Sequence, residues 1–382
     1  TTKKSLLATM VGLFAATGAV QQAYGQDGEA ATAQGRIDEI VVTATRREAF
    51  LNDTAISIAA IGGEEISRRN LSEMNDYLRT VPGVNFIEVG VGNSAVVMRG
   101  IGVDPQLEGF TSSPTAGVNF GEVSLTGLSG LGGSADIKMI DLQRVEVLRG
   151  PQGTLFGSSA MAGVVRNIPN APSLSGFEGS LKSTYSSTGE NGDGNTKFEG
   201  VLNIPVIEDT LAIRAVAYRH DTSGYVNNVA GTVAAVNGDV RPGVASGDRI
   251  AVFGGADLYQ NENDVGAIEY NGGRLSILWK PTERLSATLQ HVYQDADQNG
   301  QPYVELGIGR DGYEQITLQF GSEGEIANRQ SGHKEEINIT NLVFEYDLEW
   351  GSFLSSSAWV EDESSLYQDQ SSYGGLATVI LR

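Results

Sequence analysis

The rhythm of hydrophobic and polar residues changes at about Gly176. Beyond it apolar positions recur at every second residue, the period of a strand with one apolar face. Phe177, Leu181 and Tyr185 alternate with Glu178, Ser180, Lys182 and Thr184, and Phe198, Leu202 and Ile204 with Glu199 and Asn203. Leu211, Ile213, Ala215 and Ala217 alternate with Arg214 and Tyr218. The pattern returns at Leu275, Ile277 and Trp279, at Leu285, Ala287 and Leu289, and at Leu342, Phe344, Tyr346, Leu348 and Trp350. It fades in a last strand from Phe353 to about Ser364, making about seven strands in all.

The connections between these strands are sorted by length. Short turns at Ile207-Glu208-Asp209-Thr210, Pro281-Thr282-Glu283 and Gly351-Ser352 lie on one side, and the long segments 222–270 and 296–334 on the other. This sorting is the mark of a membrane β-barrel with turns on the periplasmic side and loops outside. A soluble sandwich shows the same alternation but has no reason to sort its loops. Tyr185, Trp279, Tyr293, Trp350 and Trp359 near strand ends fit interfacial girdles. Open strand edges in lipid leave backbone groups unsatisfied at several kcal/mol each. Residues 173–382 are therefore expected to be the N-terminal part of an antiparallel transmembrane β-barrel that further strands complete.

Residues 50–172 read differently, as a compact α+β domain. Ile66, Leu71, Met74 and Leu78 have helical spacing, Ser72 is placed to cap a second helical piece, and Pro82-Gly83 ends it. Short strands are predicted at 84–89, 95–99, 117–125, 142–148 and 163–168, with glycine-rich connections between them. Ahead of this domain, Lys3-Lys4, the apolar run from Leu6 to Val20 and Ala23-Tyr24-Gly25 form a secretory signal over 1–25, cleaved after Gly25. That run is too short to span a bilayer. Within the linker 26–49 lies a β-branched run, residues 37–47. It reads equally as an ordinary first strand or as a segment that adds itself to a partner's sheet edge.

Composition narrows the chemistry. The 47 acidic and 26 basic residues leave a formal charge of −21, unsuited to neutralising nucleic-acid phosphates. The chain has no cysteine, which excludes disulfides, zinc ribbons and thiol nucleophiles. His220, His291 and His333 are too scattered to predict a metal centre. Gly307-Ile308-Gly309-Arg310-Asp311-Gly312 fits a dinucleotide pattern but lies in a predicted loop without strand–helix context. No hydrolase elbow or zinc-protease motif is present, so no catalytic residue or cofactor is assigned.

Five short motifs occur in order after the signal: Thr80-Val81-Pro82-Gly83-Val84, Met98-Arg99-Gly100-Ile101-Gly102, Arg144-Val145-Glu146-Val147-Leu148-Arg149-Gly150-Pro151, Leu155-Phe156-Gly157 and Ala162-Gly163-Val164-Val165. Together with residues 37–47 they resemble the TonB-dependent outer-membrane receptors over nearly the whole chain. Three positions depart from that family's pattern. Phe156 stands for its usual tyrosine, Gly121-Glu122 for Asp-Gly, and Arg166-Asn167-Ile168-Pro169-Asn170 follows Val165 at the end of the plug.

The resemblance implies a plug domain filling the barrel and energised import across the outer membrane of a Gram-negative bacterium. The TonB box would be residues 37–45, with Ile37, Ile40, Val41, Val42, Thr43 and Ala44 offered to TonB. Substrate contacts would come from the plug's apical loops: Glu88, Asn93, Asp104, Gln106, Phe110, Leu125 and Leu128. Arg99, Gly100, Arg149, Gly150, Gly157 and Gly163 are the plug's structural residues. Arg99 and Arg149 are candidates for pairing with lumen carboxylates such as Glu178 or Glu199, with solvated arginines as the alternative. Ferric siderophores are the commonest cargo the resemblance implies, while cobalamin, haem and oligosaccharides use the same architecture. A passive porin and a secreted β-rich binding protein are the competing readings. The first predicts a barrel start without a preceding plug, the second a soluble product and no partner at residues 37–47.

Overall fold

The computed structural model describes residues 41–43, 49–103, 113–127, 133–135, 137–189, 192–228, 262–300, 314–315, 332–368 and 379–381. The export signal, Ile37, Ile40, Ala44, Asp104, Gln106, Phe110 and Leu128 lie outside the described residues.

The chain enters as a strap of two short antiparallel strands, β1 (Val41–Val42) and β2 (Ala49–Phe50). Next come β3 (Ile58–Gly62), α1 (Gly63–Arg68), α2 (Met74–Leu78), β4 (Val84–Gly90), β5 (Asn93–Met98), β6 (Ala116–Phe120), β7 (Val123–Ser124), β8 (Leu142–Arg149), α3 (Gly153–Phe156) and β9 (Gly163–Pro169). Five of these strands make one sheet in the order β3-β8-β9-β6-β7, with β6 and β9 parallel, and β4–β5 form a separate hairpin.

Local sequence explains the breaks. α1 has Glu64 and Glu65 in its first turn, where the helix dipole favours them. It stops where Asn70 turns left-handed at φ 55°. The Leu71 N–H then reaches the Ile66 carbonyl at 3.0 Å and the Asn70 N–H the Ser67 carbonyl at 3.1 Å, a Schellman termination. The cap of α2 differs from the sequence expectation. Glu73 rather than Ser72 is the N-cap, in a reciprocal box with Asp76, and the Ser72 hydroxyl instead accepts from Lys197 at 2.8 Å. The single strand expected at 117–125 is in fact the hairpin β6–β7. Gly121 takes φ 57° at the turn, and its N–H donates to the Asn167 carbonyl at 2.8 Å. Gly163 admits no side chain, because a Cβ there would meet the Leu148 carbonyl oxygen and Met98 Sδ well inside contact distance.

Around this globule run the remaining strands, most of them long and antiparallel: β10 (Glu178–Ser187), β11 (Gly194–Ile207), β12 (Leu211–Thr222), the short β13 (Val226–Asn228) and β14 (Glu262–Val265), β15 (Ala267–Thr282), β16 (Leu285–Asn299), the short β17 (Glu314–Gln315), β18 (Gly332–Leu348), β19 (Gly351–Gln368) and the short β20 (Val379–Leu381). The wall has the order β10-β11-β12-β15-β16-β18-β19-β20, while β14, β13 and β17 form a small sheet at the loop end. The strands outrun their apolar stretches because their charged ends, such as Glu269 on β15 and Asp297 on β16, continue the ladder beyond them. The turn between β18 and β19 is Glu349-Trp350, two residues before the expected Gly351-Ser352.

Alternation sorts the wall into two faces. Leu181 is 86% exposed, and Phe177, Tyr185, Phe198, Ile204, Leu275, Trp279, Leu289, Leu342 and Phe344 share that outer face. Asn203, Arg214, Arg274, Ser276 and Gln294, on the other face, are buried against the globule. A sandwich would bury the apolar side. This wall exposes it and turns its polar side inward, the arrangement of a barrel in lipid.

Candidate functional site

Three groups of contacts between the globule and its surroundings form the candidate site. The first holds the strap. In the β8–β9 register Glu146 lies directly opposite Arg166, and Arg144 is two residues along on the same face. Glu146, wholly buried, accepts from Arg144 Nε and Arg166 Nη1, each at 2.8 Å. It also accepts the Thr43 N–H at 2.8 Å. Arg166 Nη1 donates to the Thr43 carbonyl at 3.0 Å and hydroxyl at 2.9 Å, and Arg144 Nη2 reaches the same hydroxyl at 3.0 Å. Glu122, on the β6–β7 turn, meets Arg166 at 3.4 Å. Burial pushes the Arg166 guanidinium below its ordinary pKa, against the pull of Glu146. Val42 is wholly buried beside this cluster, while Val41 keeps 38% of its surface.

The second contact seats the globule on the wall. Asp141, left-handed at φ 58°, accepts from Arg214 at 2.7 and 2.6 Å and from Arg274 at 2.6 Å. Arg274 also donates to the Ile140 and Asp141 carbonyls, and Arg214 pairs with Glu178 at 3.1 Å. Lys138 forms an ion pair with Glu73 at 3.0 Å and lies 3.7 Å over the Tyr270 ring. Lys138 holds the Glu73 carboxyl below its ordinary value of 4.5, outweighing burial. A depressed carboxyl stabilises the fold above its unfolded pKa, and that contribution is lost as pH falls through the folded value. Glu73→Gln is therefore expected to flatten the acid limb of stability below about pH 5 and to leave its shape at higher pH unchanged, read as urea midpoints across that range.

The third contact is at the apex. The tip of the β4–β5 hairpin rests on the wall: the Val91 N–H donates to Gln298 Oε1 at 3.0 Å, and the Val91 carbonyl accepts from His333 Nδ1 at 3.0 Å. Gly90 and Gly92 face His333 and Glu335 so closely that neither has space for a Cβ. Glu88 is exposed on this hairpin, and Asn93 pairs with Gly90 across it.

Other expected site residues fall elsewhere. Leu125 is no apical contact: it is wholly buried in the plug core, its N–H bonded to the Val118 carbonyl at 2.8 Å. The hairpin turn sends it inward after β7. Arg99 and Arg149 do not pair with Glu178 or Glu199. Arg99 donates to Ser57 and Arg149 to the Pro82 carbonyl, while Glu199 is taken by His220 at 3.1 Å. Gly100, Gly150 and Gly157 all take positive φ, between 79° and 114°. Sequence reading missed Glu146, Arg166, Asp141, Arg214, Arg274 and Gln298. The usable signal was a charge inside an apolar strand, as at Glu146 between Val145 and Val147.

Residues 51–164 match the family described as the TonB-dependent receptor plug domain. A vitamin B12 transporter, BtuB of Vibrio vulnificus strain CMCP6, is 33% identical over 147 residues, which is 38% of this chain and 22% of that protein. Among solved structures, the ferric yersiniabactin uptake receptor FyuA of Yersinia pestis superposes with a TM-score of 0.61 at 18% identity, over 82% of this chain and 42% of its own. The ferripyoverdine receptor of the Pseudomonas aeruginosa outer membrane gives 0.57 at 15% identity, over 86% and 36%. The chain thus spans less than half the length of these relatives. The likeness to the solved structures, at such identities, is one of fold. The plug match, the ordered motifs and a polar-lined wall around the globule agree: residues 51–164 are a TonB-dependent receptor plug domain, and the strands that follow are folded like part of those receptors' barrel.

Proposed function

We propose that the protein is an outer-membrane active transporter that imports a scarce nutrient, a ferric siderophore, with its plug gated by TonB acting on residues 37–45. The observation that carries this reading is the seat of Thr43. A pull on the strap is delivered to Glu146 and Arg166, on two paired strands at the centre of the plug sheet. A handle fixed to the edge of the domain would leave the plug undisturbed. Strand addition suits such a handle, since backbone bonds grip along its length. Ligand is taken up from outside, at the hairpin carrying Glu88 and Asn93 and at the long loops. Siderophore is favoured because the solved relatives named above are receptors for ferric yersiniabactin and ferripyoverdine. The Vibrio relative makes cobalamin the second candidate.

Two measurements test this. The full-length receptor is expected to be captured by the periplasmic C-terminal domain of TonB, and Val41→Pro to abolish capture by removing a ladder donor. Undiminished capture of the variant would refute strand addition. A deletion strain is expected to lose uptake of radioactive iron supplied as siderophore complexes and to keep uptake of labelled cobalamin. The opposite outcome would reassign the cargo.

A further inference from the structure

The plug meets its wall in two unlike ways. Against β16 and β18, besides the polar bonds of the plug to Gln294, Gln298 and His333, the contact has an apolar centre: Val292, Ile337 and Ile339 belong to the same buried cluster as Ile137, Met139 and Val96 of the plug. Against β10 and β11 it is polar and incompletely filled. Lys182 Nζ donates to Asn70 at 2.6 Å, and Lys197 Nζ to Ser72 at 2.8 Å. Between them lies a cavity of about 460 Å³ lined by Ile66, Ser67, Leu71, Lys182, Glu199 and Val201. Separating apolar surfaces exposes them to water at a cost proportional to their area. Hydrogen bonds beside a cavity open to water exchange for bonds to water at little net cost. Resting on the transport reading above, we propose that the plug parts from the wall along β10 and β11, and that a hydrophilic solute passes there, between residues 63–72 and the row Lys182, Lys197 and Glu199.

The Asp141 anchor sits at the edge of this seam, bound to β12 and β15. It holds the rest of the plug while the segment carrying α1 swings away, so the opening needs neither exit of the plug nor separation of the apolar side. The row offers cations and a carboxylate together, which suits a solute carrying polar groups of both signs.

The test uses the full-length receptor with no cysteines other than those introduced, in planar bilayers under rising urea, with potassium chloride current as the probe. Asn70→Cys/Lys182→Cys closed by a short bis-maleimide is expected to carry no current at urea concentrations where the same variant, capped with two monofunctional maleimides, conducts. Equal conduction by both would overturn the proposal. A second measurement locates the gap. Val201→Cys is expected to react with a charged thiosulfonate at least tenfold faster than Ile339→Cys at the urea concentration where current begins. Equal rates or the reverse order would place the opening elsewhere. Neither result bears on TonB capture, so failure here is distinguishable from failure of the transport reading.

Discussion

Glu146→Ala is expected to release the strap and to destabilise the plug by about 3–5 kcal/mol, the usual result of stripping one partner from a buried ion pair. The carboxylate is fully buried and is the only anion that Arg144 reaches among the described residues. Arg166 keeps only the longer contact to Glu122 at 3.4 Å. Its loss leaves two buried guanidinium groups short of charge and the Thr43 N–H without its acceptor. Val42→Cys reports the event directly, because Val42 has no exposed surface while the strap is seated. Its thiol is expected to react about a hundredfold faster or more in the Glu146→Ala background, since each 1.4 kcal/mol is a factor of ten. Glu146→Gln should fall between, keeping an acceptor oxygen for Thr43 but forfeiting the charge.

A triple change, Arg144→Leu/Glu146→Leu/Arg166→Met, separates the two roles of the cluster. Replacing a whole buried ionic group by apolar side chains is often neutral or stabilising. The plug should therefore regain its urea midpoint while Val42→Cys stays reactive, because Thr43 has lost its three side-chain partners among the described residues. A slow thiol in the triple variant would mean that Val42 packing, and not the charges, seats the strap.

What was legible in the sequence follows from how local each cause is. The strands of the wall were readable because side chains alternate between faces residue by residue, so Leu211, Ile213 and Ala215 declare a face without reference to a partner. The break between α1 and α2 was readable in outline from Ser72 as a helix start, whereas the left-handed Asn70 that makes it was not. The cap of α2 was misplaced by one residue because Ser72 and Glu73 are both polar. The local box of Glu73 with Asp76 and the distant Lys197, which takes the Ser72 hydroxyl, decide between them. Leu125 was misjudged because its glycine-rich neighbours suggest an exposed loop, whereas a turn four residues earlier aims it into the core.

The apex and the charged clusters were not legible at all. Val91 is held by Gln298 and His333, both more than 200 residues away in sequence. Asp141 meets Arg274 across 133 positions. No period or spacing in the chain encodes these pairs, because they exist only once the wall has curved around the plug. Topology supplies one of them more cheaply: Glu146 and Arg166 become neighbours as soon as β8 and β9 pair. A buried charge on each of two adjacent apolar strands is a cross-strand signal that a register assignment would expose.

Asp141→Ala is expected to unseat the plug from the wall, again at a cost of about 3–5 kcal/mol, with Arg214 and Arg274 both left buried. Two effects add at this position. The carboxylate accepts three of the shortest bonds between plug and wall, and the backbone is left-handed at φ 58°, which disfavours alanine. Asp141→Asn separates them, because asparagine accepts that backbone readily and loses only the charge. Met139→Cys, buried two residues away, reports unseating through its thiol reactivity in urea. The expected order of midpoints is unaltered protein, then Arg274→Met, then Asp141→Asn, then Asp141→Ala. Arg274→Met is mild because Asp141 keeps Arg214 as its partner. Equal midpoints for Asp141→Asn and Asp141→Ala would assign the whole effect to charge, and midpoints unchanged in both would show that apolar contact with β16 and β18 alone seats the plug.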